Sequence, residues 1–298
     1  MAAMSASFDL TIGLDLRPQT TGAVQFGLWL CRTANVAEAQ HLHAVHVIEP
    51  DVMLELLRHA DEHTLVGAFQ QRGKELLDQI AHGTHLTPPE VFGGDAVELL
   101  EDRTRAHESS ALLISRKAPG DRSLAFPRLG AVARKLLRRL KVPVIVTPAD
   151  LLMSQVGEGP IVVAVDFTEG SYRAYTWARF LALDLGRPLL LAHLADMPDQ
   201  LGYGGFVATS RWEELSNEVL DRGRERMDQF MKAHGIEGVQ TTVARGPVLP
   251  GLVELSNSSK ACMLVCGSGH HGMLHRIVVP SVASESAAMA HCAVAVVP

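Results

Sequence analysis

The chain has 298 residues, 47% hydrophobic and 20% charged, and its 27 lysines and arginines are outnumbered by 33 aspartates and glutamates. That composition describes a globular protein with well-filled cores, and the net charge of −6 argues against general binding to nucleic acid or anionic membrane, since both reward basic surfaces. No apolar run approaches the roughly 20 residues needed to cross a bilayer, and Met1–Phe8 has neither the basic flank nor the long apolar core of a secretion signal, so a cytoplasmic protein is expected.

Taken in chain order, short apolar runs alternate with stretches of helical periodicity. The first half carries candidate strands near Leu10–Leu14, His43–Ile48, Pro89–Phe92, Ala111–Ile114 and Val142–Val146. Residues 149–159 close on Gly157-Glu158-Gly159 and read as a linker. Beyond it, Ile161–Val165 and Leu189–Leu194 are near-continuous apolar runs, the pattern of strands buried on both faces of a parallel sheet. Between them, Ala174, Trp177, Ala178, Leu181 and Leu185 recur at helical spacing. A longer amphipathic helix is predicted from Trp212 to His234, stopping before Gly235. Then follow a strand at Gln240–Ala244, a helix at Leu249–Ser258, a strand at Cys262–Cys266, a helix at Ser281–His291 and a strand at Cys292–Val297.

The second half repeats landmarks of the first. Val142–Pro148 returns as Cys292–Pro298, 150 residues later, and Asp15, closing an apolar run, returns as Asp166 after 151. His46 returns as His193 after 147, and Gly93 as Gly246 after 153. Order and spacing are both kept, so a gene duplication is the economical explanation, with a unit the size of one domain rather than of a solenoid repeat. The domains are expected at residues 1–148 and 160–298. Alternating strands and helices imply right-handed crossovers and a doubly wound α/β sheet of five parallel strands in each half, with helices on both faces. Ligands of such sheets bind outside the carboxyl ends of the strands, where strand order reverses. Those ends are Asp15, Val47 and Ser115 in the first half, and Asp166, Leu194 and Gly267 in the second.

These strand ends resemble the universal stress protein family. Ile161–Ser171 is similar to that family's first strand and turn, Ala192-His193-Leu194 to the end of its second strand, and Leu264–Ser268 with Ser281–Ser284 and Ala293–Pro298 to its final third. Gly13-Leu14-Asp15, His46-Val47-Ile48 and Leu129–Val132 match more loosely. The resemblance covers nearly the whole chain and implies a tandem member with two flavodoxin-like domains. Members that bind ATP share a loop, Gly-x2-Gly-x9-Gly-Ser/Thr, whose glycines let backbone amides approach phosphates. Here Gly267 and Ser281 match its ends, but His270 stands at the second glycine and Pro280 at the third. A proline there removes a donor and fixes φ. In the first half Ser115 and Ala118 replace the first two glycines, the loop is two residues longer, and Ala131 after Gly130 lacks the hydroxyl. The resemblance therefore implies an interaction or regulatory protein with weak or no nucleotide binding, and no bound cofactor. The alternative is an ATP sensor using Asp166, Leu194, Gly267 and Ser281 in the second half alone. Single-domain members pair through their last strands, which implies an internal pseudo-dimer through Val142–Thr147 and Ala293–Val297, or self-association across two chains.

Other features have plainer readings. Asp166 either contacts a ribose or metal-bound phosphate or ties its own turn, whereas for Asp15 the turn is preferred. Gly267–Gly272 spells G-x-G-x-x-G but follows a fourth strand, not the first of a βαβ unit, and is rejected as a dinucleotide site. His270, His271 and His275 lack a nearby acidic partner and read as a polar loop, with no metal expected. Arg134, Lys135, Arg138 and Arg139 share one helix face, which suits a solvated surface near a helix C-terminus, with an acidic partner or RNA as the alternatives. Cys31, Cys262, Cys266 and Cys292 read as buried free thiols of a reducing compartment. No nucleophile–base pair stands out, so no enzyme is indicated.

Overall fold

In a computed structural model of the chain, residues 8–117, 129–139, 141–196, 209–268 and 282–298 are described. They form two compact units, divided between Val156 and Gly157. The first unit runs β1 (Leu10–Leu14), a 3-10 turn (Pro18–Thr20), α1 (Thr21–Thr33), α2 (Glu38–His41), β2 (Leu42–Ile48), α3 (Pro50–Leu56), α4 (Glu62–Ala81), β3 (Glu90–Gly93), α5 (Ala96–Ala106), β4 (Ala111–Ser115), α6 (Ala131–Arg139) and β5 (Val144–Thr147). Its strands lie in the order β3-β2-β1-β4-β5, all parallel.

The second unit runs β6 (Ile161–Ala164), α7 (Glu169–Leu185), β7 (Leu189–Ala195), α8 (Thr209–Ala233), β8 (Gln240–Arg245), α9 (Val248–Ser258), β9 (Met263–Gly267), α10 (Val282–Met289) and β10 (Ala293–Val297). The order is the same, β8-β7-β6-β9-β10, and again every pair is parallel. The apolar runs explain this. Leu10, Ile12, Leu112 and Leu113, and likewise Ile161, Val162, Leu264 and Val265, are almost completely buried, as strands covered on both sides must be. In the first unit α1 and α4 pack together while α5 packs with α6; in the second α9 packs with α10. Strand order reverses between β1 and β4 and between β6 and β9, which places a crevice at the carboxyl ends of these strands.

The two short helices α2 and α3 have no counterpart in the apolar pattern. Pro50 at the first turn of α3 is the local signal, since its missing N–H costs nothing there. Residues 149–156 pack against the first unit. Gly22 donates its N–H to the Ala149 carbonyl at 3.1 Å, Met153 donates its N–H to Gln25 Oε1 at 3.2 Å, and Leu151 is buried. This crossing needs Gly22, because a Cβ there would overlap the Pro148 carbonyl oxygen, which is backbone and cannot swing aside. Cys31, Cys262 and Cys266 are buried free thiols, each pushed up to about 12 by burial, so they are poor nucleophiles. Among the described residues no helix is long and apolar enough to cross a membrane.

Gly22→Ala is expected to destabilise the protein by about 2 kcal/mol or more through this overlap. Urea denaturation of the variant against the parent protein measures it, with an unchanged midpoint as the contrary outcome.

Candidate functional site

The carboxyl end of the central strand is built the same way in both units. Leu14 ends β1, and its carbonyl accepts from His46 Nδ1 on β2 at 2.8 Å. In the second unit the Val165 carbonyl accepts from His193 Nδ1 on β7, also at 2.8 Å. Because a carbonyl only accepts, both imidazoles carry their proton on Nδ1. Burial, the largest influence, pushes His46 and His193 below the ordinary imidazole range, against the pull of those carbonyls. For His193 the neighbouring Arg226 charge adds to the downward push.

The next residue is the aspartate, and its own turn uses it. Asp15 Oδ1 accepts from the Arg17 N–H at 3.0 Å and from the Thr20 hydroxyl at 2.6 Å, while Oδ2 accepts from Gln19 Nε2. Asp166 Oδ1 accepts from the Thr168 N–H at 3.0 Å, the Thr168 hydroxyl at 2.5 Å and the Ser171 hydroxyl. The same Ser171 oxygen accepts the Asp166 N–H at 2.9 Å. Burial alone would raise Asp166, but the Ser171 and Thr168 hydrogen bonds outweigh it and hold the carboxyl below its usual range.

After each aspartate stands a non-glycine residue in the left-handed region, Leu16 at φ 55° and Phe167 at φ 65°, a conformation costing roughly 1–2 kcal/mol. The turn sends Phe167 toward His193 and Leu16 toward Gly73 of α4. The Phe167 ring lies 4.3 Å from that of His193 and 6.1 Å from that of Phe230, and the Arg226 guanidinium sits 4.4 Å over it. Helix α8 comes close because Gly223 faces His193 and Val243, where a Cβ would be crowded. In the first unit Phe69 of α4 stacks on His46 at 5.3 Å. Rings of the protein itself thus stand outside strands one and two.

The fourth strand ends differ. In the first unit Ser115 Oγ accepts the Ala23 N–H of α1 at 2.9 Å and lies 3.2 Å from Thr147 Oγ1. In the second unit Gly267 lies against the start of α7, where a Cβ would overlap the Gly170 carbonyl. Close backbone approach is thus one demand that this position makes on its residue. The adjacent Ser268 hydroxyl is buried with no hydrogen-bond partner among the described residues.

Of the four residues expected to line a nucleotide crevice, Asp166 and Gly267 both flank the start of α7, at the ends of β6 and β9. Leu194 on β7 is buried, its Cδ1 facing Gly251 of α9. Ser281 lies outside the described residues, as do His270, His271, His275, Pro280 and Ala118. Gly130 and Ala131 precede and open α6. Sequence reasoning missed the hydroxyls of Thr20 and Ser171, though each sits five residues beyond its aspartate, and it missed Phe167 and Arg226 altogether. Among the described residues no group of three or more His, Cys, Asp or Glu is placed to hold a metal.

Comparison with known proteins agrees with the duplicated architecture. The model of the universal stress protein family matches residues 9–148 and again residues 159–298. A universal stress protein of Methanocaldococcus jannaschii is 27% identical over 139 residues, 46% of this chain and 80% of its own. The crystal structure of a universal stress protein from Archaeoglobus fulgidus superimposes with a TM-score of 0.64 at 18% identity, covering 98% of each chain. A putative universal stress protein from Pseudomonas aeruginosa gives 0.59 at 17%, covering 98% of this chain and 94% of that one. At these identities the structural likeness speaks for the fold.

Both depressed histidines give the fold a pH dependence with a definite sign. Unfolded imidazoles take up protons near their ordinary value of about 6.5, folded ones only at lower pH, so their contribution is complete above about pH 7 and shrinks as pH falls. His46→Asn with His193→Asn keeps a side-chain N–H for each carbonyl and removes the titration. The double variant is expected to lose less stability between about pH 7 and about pH 5 than the parent. Denaturation midpoints at the two pH values test this; equal losses contradict it.

Proposed function

Because the chain belongs to the universal stress protein family in both of its halves, we propose that it is a cytoplasmic stress-response interaction and regulatory module with weak or no nucleotide binding, and not an enzyme. The observation that carries the reading is the self-satisfied crevice. Both oxygens of Asp15 and the Oδ1 of Asp166 are engaged by their own turns, and Phe167 with Arg226 occupies the second unit's mouth. A triphosphate entering there would have to displace bonds that hold the fold. In the first unit the Ser115 hydroxyl is committed to the α1 backbone, so one amide at that helix start already has its acceptor. The ligands of such a module are other proteins, a second copy of the chain among them.

A second reading, a nucleotide sensor confined to the second unit, is favoured by one observation. The Ser268 hydroxyl is buried without a partner among the described residues, beside Gly267 and the start of α7, where an anion would find backbone donors. Asp166, Leu194, Gly267 and Ser281 would then line the site.

Calorimetric titration of ATP into the full chain is expected to give no saturable heat. Mass spectrometry of material released on denaturing the purified protein is expected to show no nucleotide. Tight uptake of about one ATP per chain, or its release on denaturation, would overturn the first reading and establish the second.

A further inference from the structure

Helix α6 carries four cations on one face, Arg134, Lys135, Arg138 and Arg139, all exposed. The architecture shared by the two units does not call for this face. The helix in the matching place of the second unit, α10, has Ser284, Glu285, Ala288 and Met289 at the positions 150 residues on. The face is therefore a property of one copy and not of the architecture.

Its neighbour is the start of α5. Asp95 caps that helix, accepting the Val97 and Glu98 N–H groups at 2.9 and 3.0 Å. Between the two helices lies a cleft of about 300 Å³ lined by Asp95, Val97, Lys135, Arg138 and Arg139. The cations divide into two groups. Arg139 is held by Glu98 at 3.3 Å and by the buried Glu101 at 3.7 Å, and Lys141 reaches Glu101 at 3.4 Å. Arg134, Lys135 and Arg138 have no carboxylate partner among the described residues. Glu101 thus anchors the far end of the basic face, while the other three charges pair with no carboxylate among the described residues of a protein whose net charge is −6.

We infer that the cleft between α5 and α6 docks an acidic, extended segment of a partner protein. The spacing suits this occupant. Cations at i and i+4 on a helix rise by about 6 Å, and carboxylates on alternate residues of an extended chain repeat at about 6.6–6.8 Å. An extended acidic segment in the cleft therefore meets Lys135 and Arg139, which line it, with alternate side chains, and Arg134 and Arg138 repeat the same spacing along the helix. RNA fits less well. Asp95 lines the cleft and Glu98 follows it in the first turn of α5, and their carboxylates repel a phosphate chain, which carries a charge on every nucleotide and can omit none. A peptide places neutral residues opposite those carboxylates. The inference rests on the interaction-module reading above and supplies its surface and the chemistry of its partner.

The test is fluorescence anisotropy of a fluorescein-labelled peptide of alternating glutamate and serine, titrated with the full chain. The peptide is expected to bind, progressively less as salt rises, and about tenfold less tightly to the variant Lys135→Glu with Arg138→Ala. Those substitutions install the residues of the second unit on an exposed face, and unchanged thermal unfolding confirms that the fold is kept; Arg134→Ser serves as an independent weakening change. An absence of binding, or equal binding to parent and variants, overturns the inference. So does a single-stranded oligouridine of equal charge that binds as tightly as the peptide or more so. ATP calorimetry on the same preparations separates the two claims, since the crevices of either unit are untouched by these substitutions.

Discussion

A parallel sheet ends its central strand with backbone carbonyls to which no neighbouring strand donates, and in a buried setting each must find a donor. Everything at the carboxyl edge of this protein follows from how that demand is met. A histidine on the second strand gives its Nδ1–H to the carbonyl at the end of the first strand, Leu14 in one unit and Val165, just past β6, in the other, at the same 2.8 Å. The next residue is an aspartate whose carboxylate collects the amides and hydroxyls of the turn. The chain is thereby forced through one left-handed residue, Leu16 or Phe167, before the first helix starts. The cost of that conformation is offset by the bonds around it, and the direction of the first helix is set by it. Where that helix starts decides what the fourth strand end can be.

The two copies then solve one packing problem by different chemistry. In the first unit a serine hydroxyl fills the gap between the fourth strand and the helix, and Gly22 lets the chain after β5 cross close to α1. In the second unit glycine at the strand end lets the backbones touch, and Arg173 reaches the Pro298 carbonyl with its Nε at 2.6 Å instead. Neither exchange disturbs the sheet, because the register of β1 on β4 and of β6 on β9 is set by residues below the turn, all apolar but Thr11. The duplication has kept the frame and let the edge diverge. A glycine kept at this edge is thus explained by helix packing before any ligand is invoked.

Much of this was legible in the residues themselves. Runs such as Ile161–Ala164 and Leu189–Ala195 are too continuous for half-exposed strands, and a helical spacing between them leaves a parallel crossover as the simple solution. The structural use of Asp15 was readable from its place at the end of an apolar run, where an aspartate ties a turn, but the Thr20 hydroxyl that it binds was not. Phe167 was not readable, because a left-handed conformation is announced by glycine or asparagine, and a phenylalanine there is visible only once His193, Arg226 and Phe230 surround it. Nor was the packing of residues 149–156 on α1, which depends on Gln25 turning its amide oxygen toward Met153. Contacts between residues 128 apart leave no periodic trace.

The asymmetry between copies also bears on where function can reside. A duplicated fold under one constraint keeps the residues the constraint needs, and here those are the histidine, the aspartate and the hydroxyl five residues on. Residues that differ sharply between copies while the backbone is unchanged answer to something else. The charges of α6 are such a case: cations close together on one helix repel each other and destabilise it by a few tenths of a kcal/mol per pair. Only Arg139, of that face, is compensated by carboxylates among the described residues. On a chain with net charge −6, a local positive field would draw in anions of opposite shape and leave the rest of the surface repelling them. The crevice, by contrast, spends its polar groups on itself. A surface whose other three cations cost stability and pair with no carboxylate among the described residues is the better place to look for what this protein recognises.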